Sequence, residues 1–154
     1  MCDYAKVAIF NIQFSVYVSL NGTGITHYRE QPYQGTVHST NHAQAWETFN
    51  LRYNDDGTVS FEASVFPRVF LSLDGNGVEA GVTTGPGGGS VAAQYTAKDW
   101  EKFLIRRQDD NTSIVAIESA AFPGRFLRVN GDANEVNVQG TVGPWEKFRL
   151  EVLA

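Results

Sequence analysis

The Trp145–Leu150 stretch reads WEKFRL, and the same pattern occurs twice earlier, as WEKFLI over Trp100–Ile105 and WETFNL over Trp46–Leu51. A motif that performs chemistry is needed once. One written three times marks a structural unit that has been copied. The lines upstream of each Trp repeat as well. Val7 to Gly22 is VAIFNIQFSVYVSLNG, Val59 to Gly75 is VSFEASVFPRVFLSLDG, and Val115 to Gly131 is VAIESAAFPGRFLRVNG. Each begins with Val and ends on an aliphatic residue, Asn or Asp, and Gly. The copies run approximately over residues 7–53, 59–107 and 115–152, and they fill the chain as one domain.

Each copy has the period of strands. VSFEA and VAIES alternate apolar with polar or small residues, and FLSLDG and FLRVNG alternate before stopping at a turn dipeptide. NDDGT (Asn54–Thr58) and QDDNT (Gln108–Thr112) read as turns that join one copy to the next. HSTNHAQAWETF is the best helical candidate and is expected to give at most one turn. The chain is therefore predicted all-β, with about four short strands per copy. One hairpin pair cannot bury its apolar face, but three around an axis close a barrel. That architecture is a β-trefoil: a six-stranded barrel capped by three hairpins.

In this arrangement Phe49, Phe103 and Phe148 have the phase for the core, together with Leu51, Ile105 and Leu150. Each Trp stands three residues before its Phe, so a continuous strand would send the two to opposite faces. The Trp is expected in a turn, folding back to seal the hairpin layer; the alternative is an exposed stacking platform. The Glu after each Trp is read as a hydrogen-bond anchor, because three Glu around an axis stand farther apart than the ~5–9.5 Å of a glycosidase pair.

Val-x-aliphatic, a spacer, then aromatic-Leu-Ser-x-Asp-Gly resembles the repeat of the fascin-like actin-cross-linking superfamily. FEASVFPRVFLSL and IESAAFPGRFLRV are also similar to the repeat of arabinofuranosidase-type sugar-binding modules. Both resemblances imply a trefoil. One implies sugar binding and the other actin binding. Val129 follows Arg128, and Trp-Glu stands where the sugar-binding modules carry Asp-Ala. The Gln-x-Trp signature of ricin-type lectins is read as absent.

The formal charge is −5 with 12 Lys and Arg against 17 Asp and Glu, a balance that points away from nucleic acid. Cys2 is the only cysteine, so no intrachain disulfide is expected. The start MCDYAKVAIF has no apolar signal core, and no run reaches the ~18 apolar residues of a membrane helix. These features predict a soluble cytoplasmic protein without membrane insertion. NGT (Asn21–Thr23) and NTS (Asn111–Ser113) are then turns rather than glycosylation sites.

No acid, base and nucleophile constellation is legible, and an enzyme is not expected. His38 and His42 have i, i+4 spacing without a third ligand, so neither a metal nor another cofactor is expected. GPGGGSV (Gly85–Val91) lacks the context of a nucleophile elbow or a phosphate loop and reads as a flexible loop tip. Loop lengths differ: 23 residues separate Gly22 from Trp46, 24 separate Gly75 from Trp100, and 13 separate Gly131 from Trp145. Copy three is therefore expected to be the most open.

The residues chosen for ligand binding are Asn21, Asp74 and Asn130 at the strand ends, His27 in the long first loop, and Tyr28, Tyr33 and Tyr95 as stacking faces. The function expected is a non-enzymatic lectin with loop-formed, multivalent glycan sites. The alternatives are an actin-binding or bundling protein using Arg106, Arg107, Arg125 and Arg128, and a loop-presenting protease inhibitor. Expected partners are glycans and a second copy in a homodimer, with actin as the alternative and no nucleic acid.

Overall fold

The computed structural model describes residues 4–28, 35–108, 113–130 and 134–153. Tyr33, Cys2, Asn111 and most of the QDDNT turn lie outside the described residues. The first copy gives β1 (Tyr4–Asn11), β2 (Val16–Asn21), β3 (Gly35–Thr40) and β4 (Phe49–Tyr53). The second gives β5 (Val59–Ala63), β6 (Val69–Asp74), β7 (Ser90–Tyr95) and β8 (Phe103–Arg107). The third gives β9 (Val115–Ser119), β10 (Phe126–Asn130), β11 (Glu135–Gln139) and β12 (Phe148–Val152).

The first and fourth strands of the copies close a ring. β1 pairs with β4, β4 with β5, β5 with β8, β8 with β9, β9 with β12, and β12 with β1, all antiparallel. The registers repeat: Phe49 stands opposite Val7 and Ala63, Phe103 opposite Val59 and Ser119, and Phe148 opposite Val115 and Asn11. The remaining strands form the hairpins β2–β3, β6–β7 and β10–β11, which cap the barrel and touch one another through β3–β7 and β3–β11. This is the β-trefoil expected from the repeat.

Phe49, Phe103 and Phe148 are fully buried, as are Ile9, Phe61 and Ile117 at matching places on the first strands. Removing each such side chain from water is worth about 1.5–3 kcal/mol. The hairpins close the core from above with Leu20, Leu73 and Val129, all at 0% exposure. The fold places three chemically similar junctions around one axis, each where the Trp motif of one copy meets the first turn of the next.

HSTNHAQAWETF, expected to give at most one helical turn, gives one, and each of the other copies has its equivalent. The 3-10 turns Ala45–Glu47, Asp99–Glu101 and Pro144–Glu146 precede the three barrel Phe residues. The glycine-rich stretch departs from the expected loop tip: its main chain is pinned to the β10–β11 hairpin. Gly88 and Val138 exchange two backbone hydrogen bonds of 2.9 Å, and the Gln139 side-chain amide accepts from Thr84 N and donates to Thr84 O.

Candidate functional site

The Trp-Glu turns explain both halves of their motif. Each Glu is buried, and one carboxylate oxygen accepts the backbone N–H that begins the turn, from Gln44, Lys98 or Gly143, at 2.7–2.8 Å. The other oxygen of Glu47 accepts the Ser19 hydroxyl at 2.5 Å, and that of Glu101 accepts the Ser72 hydroxyl at 2.6 Å. Arg128 takes the serine's place in copy three, with Nε 3.6 Å from Glu146. Burial pushes the Glu101 carboxyl up against these bonds, and it does the same to Glu146 despite the guanidinium. The Glu residues are anchors, as the sequence led us to expect.

The turn also sets the direction of the indole. Trp46 meets Phe66 at 6.0 Å, Trp100 meets Phe122 at 5.4 Å, and Trp145 meets Phe14 at 5.1 Å. In every case the Phe belongs to the first turn of the following copy, and the last contact closes the ring. The Trp therefore joins copies rather than sealing the hairpin layer. None of the three is fully buried, and Trp46 keeps 40% of its surface exposed.

At the junction of copies two and three the ring borders an open cleft of about 570 Å³ lined by Asp56, Asn76, Asp99, Trp100, Lys102 and Ala120 to Phe122. Lys102 comes from the foot of β8, whose carbonyl accepts Ala120 N–H at 3.0 Å. Its Nζ lies 3.0 Å from Asp56 Oδ2. Asp56 also accepts the Thr58 hydroxyl at 2.6 Å and the Thr58 N–H at 3.1 Å. The hydroxyl, then the N–H, then Lys102 draw its pKa down to about 2, so the carboxylate is ionised at any ordinary pH. Asn76 and Asp99 are exposed. An aromatic face with carboxylates, a carboxamide and an ammonium at its rim can hold a polyhydroxyl ring. The same positions at the Trp46 junction hold Ala45 and Thr48, with Ser64 N–H donating to Thr48 O at 3.0 Å, and carry no charge.

Of the residues singled out in the sequence, none that the structure describes lines this cleft. Asn21 and Asp74 close turns, accepting the N–H of Thr23 at 3.0 Å and of Asn76 at 2.9 Å. Asn130 ends β10 in the equivalent place, next to residues outside the described set. Tyr28 already faces a cation, with Lys98 Nζ 3.7 Å from its ring centroid. Tyr95 packs against the core with the Arg68 guanidinium 5.4 Å over its ring. His27 is exposed, and its ring Nδ1 lies 3.4 Å from the Thr26 hydroxyl. His38 sits on β3 and His42 beyond it, so their i, i+4 spacing falls on no helix.

Of the four arginines considered for actin, three are engaged within the fold. Arg106 Nε bonds Glu118 at 2.6 Å, Arg125 Nε bonds Val78 O at 2.8 Å, and Arg128 is 1% exposed. The cleft residues carried one signal in the sequence, the charge of Lys98-Asp99-Trp100-Glu101-Lys102 against the neutral Gln44-Ala45-Trp46 and Thr48. The reading that the Gln-x-Trp signature is absent is corrected: it occurs once, as Gln44-Ala45-Trp46, while Lys98 and Gly143 take its first place in the other copies.

No protein-family model matches the chain, and no curated protein matches it in sequence. Solved structures do match in shape. The designed threefold-symmetric protein ThreeFoil superposes with a TM-score of 0.70 at 14% identity, over 96% of this chain and 99% of its own. A ricin B-like lectin of Macrolepiota procera, solved with lactose, gives 0.67 at 13% identity over 98% and 97%. SeviL, solved bound to asialo-GM1 saccharide, gives 0.65 at 12% identity over 96% of each chain. At such identities the likeness establishes the fold.

Proposed function

We propose that the chain is a non-enzymatic carbohydrate-binding protein, a lectin, whose ligand lies in the Trp100 cleft. The observation that carries this is the cleft itself: an indole beside exposed Asp99 and Asn76 and the Lys102–Asp56 pair, at a junction that stands open. The C–H face of a pyranose packs on the aromatic ring while its hydroxyls bond the planar polar groups. The buried Glu47 and Glu101 carboxylates are spent on backbone N–H and serine hydroxyl groups, which supports binding rather than hydrolysis. Two of the structural neighbours were solved with sugars, which adds support. A shallow site of this kind is worth about −4 kcal/mol for a free monosaccharide, near millimolar.

A glycan array with wild type, Asp99→Ala and Asn76→Ala tests the proposal. The expected result is a scoring glycan whose binding falls about tenfold, or 1.4 kcal/mol, in each variant. Melting temperatures should stay close to wild type, since both side chains are exposed. If no glycan scores, or if both variants bind as wild type, the proposal fails. Pelleting with filamentous actin, run in parallel, would put the fascin-like alternative in its place.

A further inference from the structure

The three junctions are built alike, but copy three differs from the other two at one residue that meets its Trp. Copies one and two place Ser19 and Ser72 in the middle of the second strand, each bonded to the Glu of its own copy. Copy three places Arg128 there. Its guanidinium carbon lies 4.5 Å from the centroid of the Trp145 ring. From that position it donates to Pro86 O at 3.0 Å, Gly85 O at 3.1 Å and Asn137 Oδ1 at 3.0 Å. Asn137 Nδ2 donates to Pro86 O as well, at 2.9 Å.

Residues 84–89 of copy two are therefore strapped over the hairpin of copy three. The strap is fitted closely. Gly87 has φ +67°, and a Cβ there would stand 2.9 Å from Asn137 Nδ2; Gly89 has φ +60°, and a Cβ there would overlap Asp74 O. Such a φ strains any residue with a side chain. The expectation that copy three's short loop leaves it most open is thus corrected: the long loop of copy two covers it. Trp145 is engaged by Phe14 and by Arg128 and is half-buried, as Trp100 is, while Trp46 stays 40% exposed.

We propose that Arg128 and the 84–89 strap withdraw copy three from ligand binding, so that the molecule works through at most two of its three Trp platforms. The strap is a built-in occupant that holds the guanidinium on the indole. A ligand ring offered to the Trp145 face that carries Arg128 would have to displace a buried cation and its four polar contacts, whereas Ser19, in the arginine's place in copy one, bonds Glu47 and Trp46 is 40% exposed. The consequence for ligand binding rests on the lectin reading, but the closure of Trp145 does not.

The test uses acrylamide quenching in two full-length proteins, one with Trp46 as sole tryptophan and one with Trp145, the others being changed to Phe. Trp46 should be quenched severalfold more strongly than Trp145. Adding Arg128→Ser to the second protein should bring Trp145 to the level of Trp46, since a serine there restores the arrangement of the other copies. Gly87→Ala should act in the same direction by forcing the strap off without touching Arg128, and it serves if Arg128→Ser does not fold. Equal quenching of the two wild-type platforms, or no change on release of the strap, would overturn the proposal. Neither readout needs a sugar, so an empty glycan array would sink the lectin reading and leave this result standing.

Discussion

Two sets of buried glutamates show how burial and bonding settle a charge in opposite ways. For Glu62, burial raises the carboxyl, but the Arg68 N–H, the Arg52 guanidinium and the Asn50 amide together outweigh it and hold the pKa below 4.5. For Glu101, burial wins over the Ser72 and Lys98 bonds and lifts the pKa above 4.5. The stability from Glu62 is therefore complete above its unfolded pKa and is lost as pH falls through its folded one. Glu101 works in reverse: stability declines as pH rises from 4.5 through its folded pKa. Melting curves of Glu62→Gln and Glu101→Gln between about pH 3 and pH 8 should show this. Relative to wild type, the first variant loses ground as pH rises and the second gains. Parallel curves would contradict the assignment. The sequence showed that the Trp-Glu pair was an anchor, because repetition argues against chemistry. It could not show what each anchor grips, since Ser19 and Ser72 lie 28 and 29 residues away along the chain.

At the scale of elements, the copied turn behaves as a module. A buried carboxylate in each of the first two copies depends on a serine hydroxyl from its own second strand. Ser72→Ala and Ser19→Ala should each cost about 1–3 kcal/mol by leaving that oxygen unpaired. Chemical denaturation should find the two losses similar, because Ser19 and Ser72 are at most 1% exposed and hold the same geometry. A loss in one variant and none in the other would show that the modules are not equivalent. Strands were legible here because alternation survives in VSFEA, FLSLD and their copies. The strap was not. Gly and Pro signal a turn wherever they occur, and nothing local in GPGGGSV says that Arg128, 42 residues on, will take the Pro86 carbonyl. The cleft stayed hidden for the same reason: Asp56, Asn76, Asp99 and Lys102 come from three separate turns, each unremarkable alone.

The whole molecule is a ring of three copies in which every Trp reaches the next copy's Phe and the third reaches back to the first. Symmetry makes the frame, and departures from symmetry make the candidate site. One junction is charged and borders a cleft, one is neutral with its Trp 40% exposed, and one holds Arg128 against its indole. If the charged junction is where a glycan binds, the response of the backbone should be local to it. The most direct measurement is amide chemical-shift mapping during titration with the glycan that scores on an array. The account predicts that the shifted residues cluster at Asp56, Asn76, Asp99 to Lys102 and Ala120 to Phe122, with residues 84–89 and the β10–β11 hairpin unmoved. Shifts centred on the β10–β11 hairpin, or on the Tyr28 loop with the Trp100 junction silent, would contradict it.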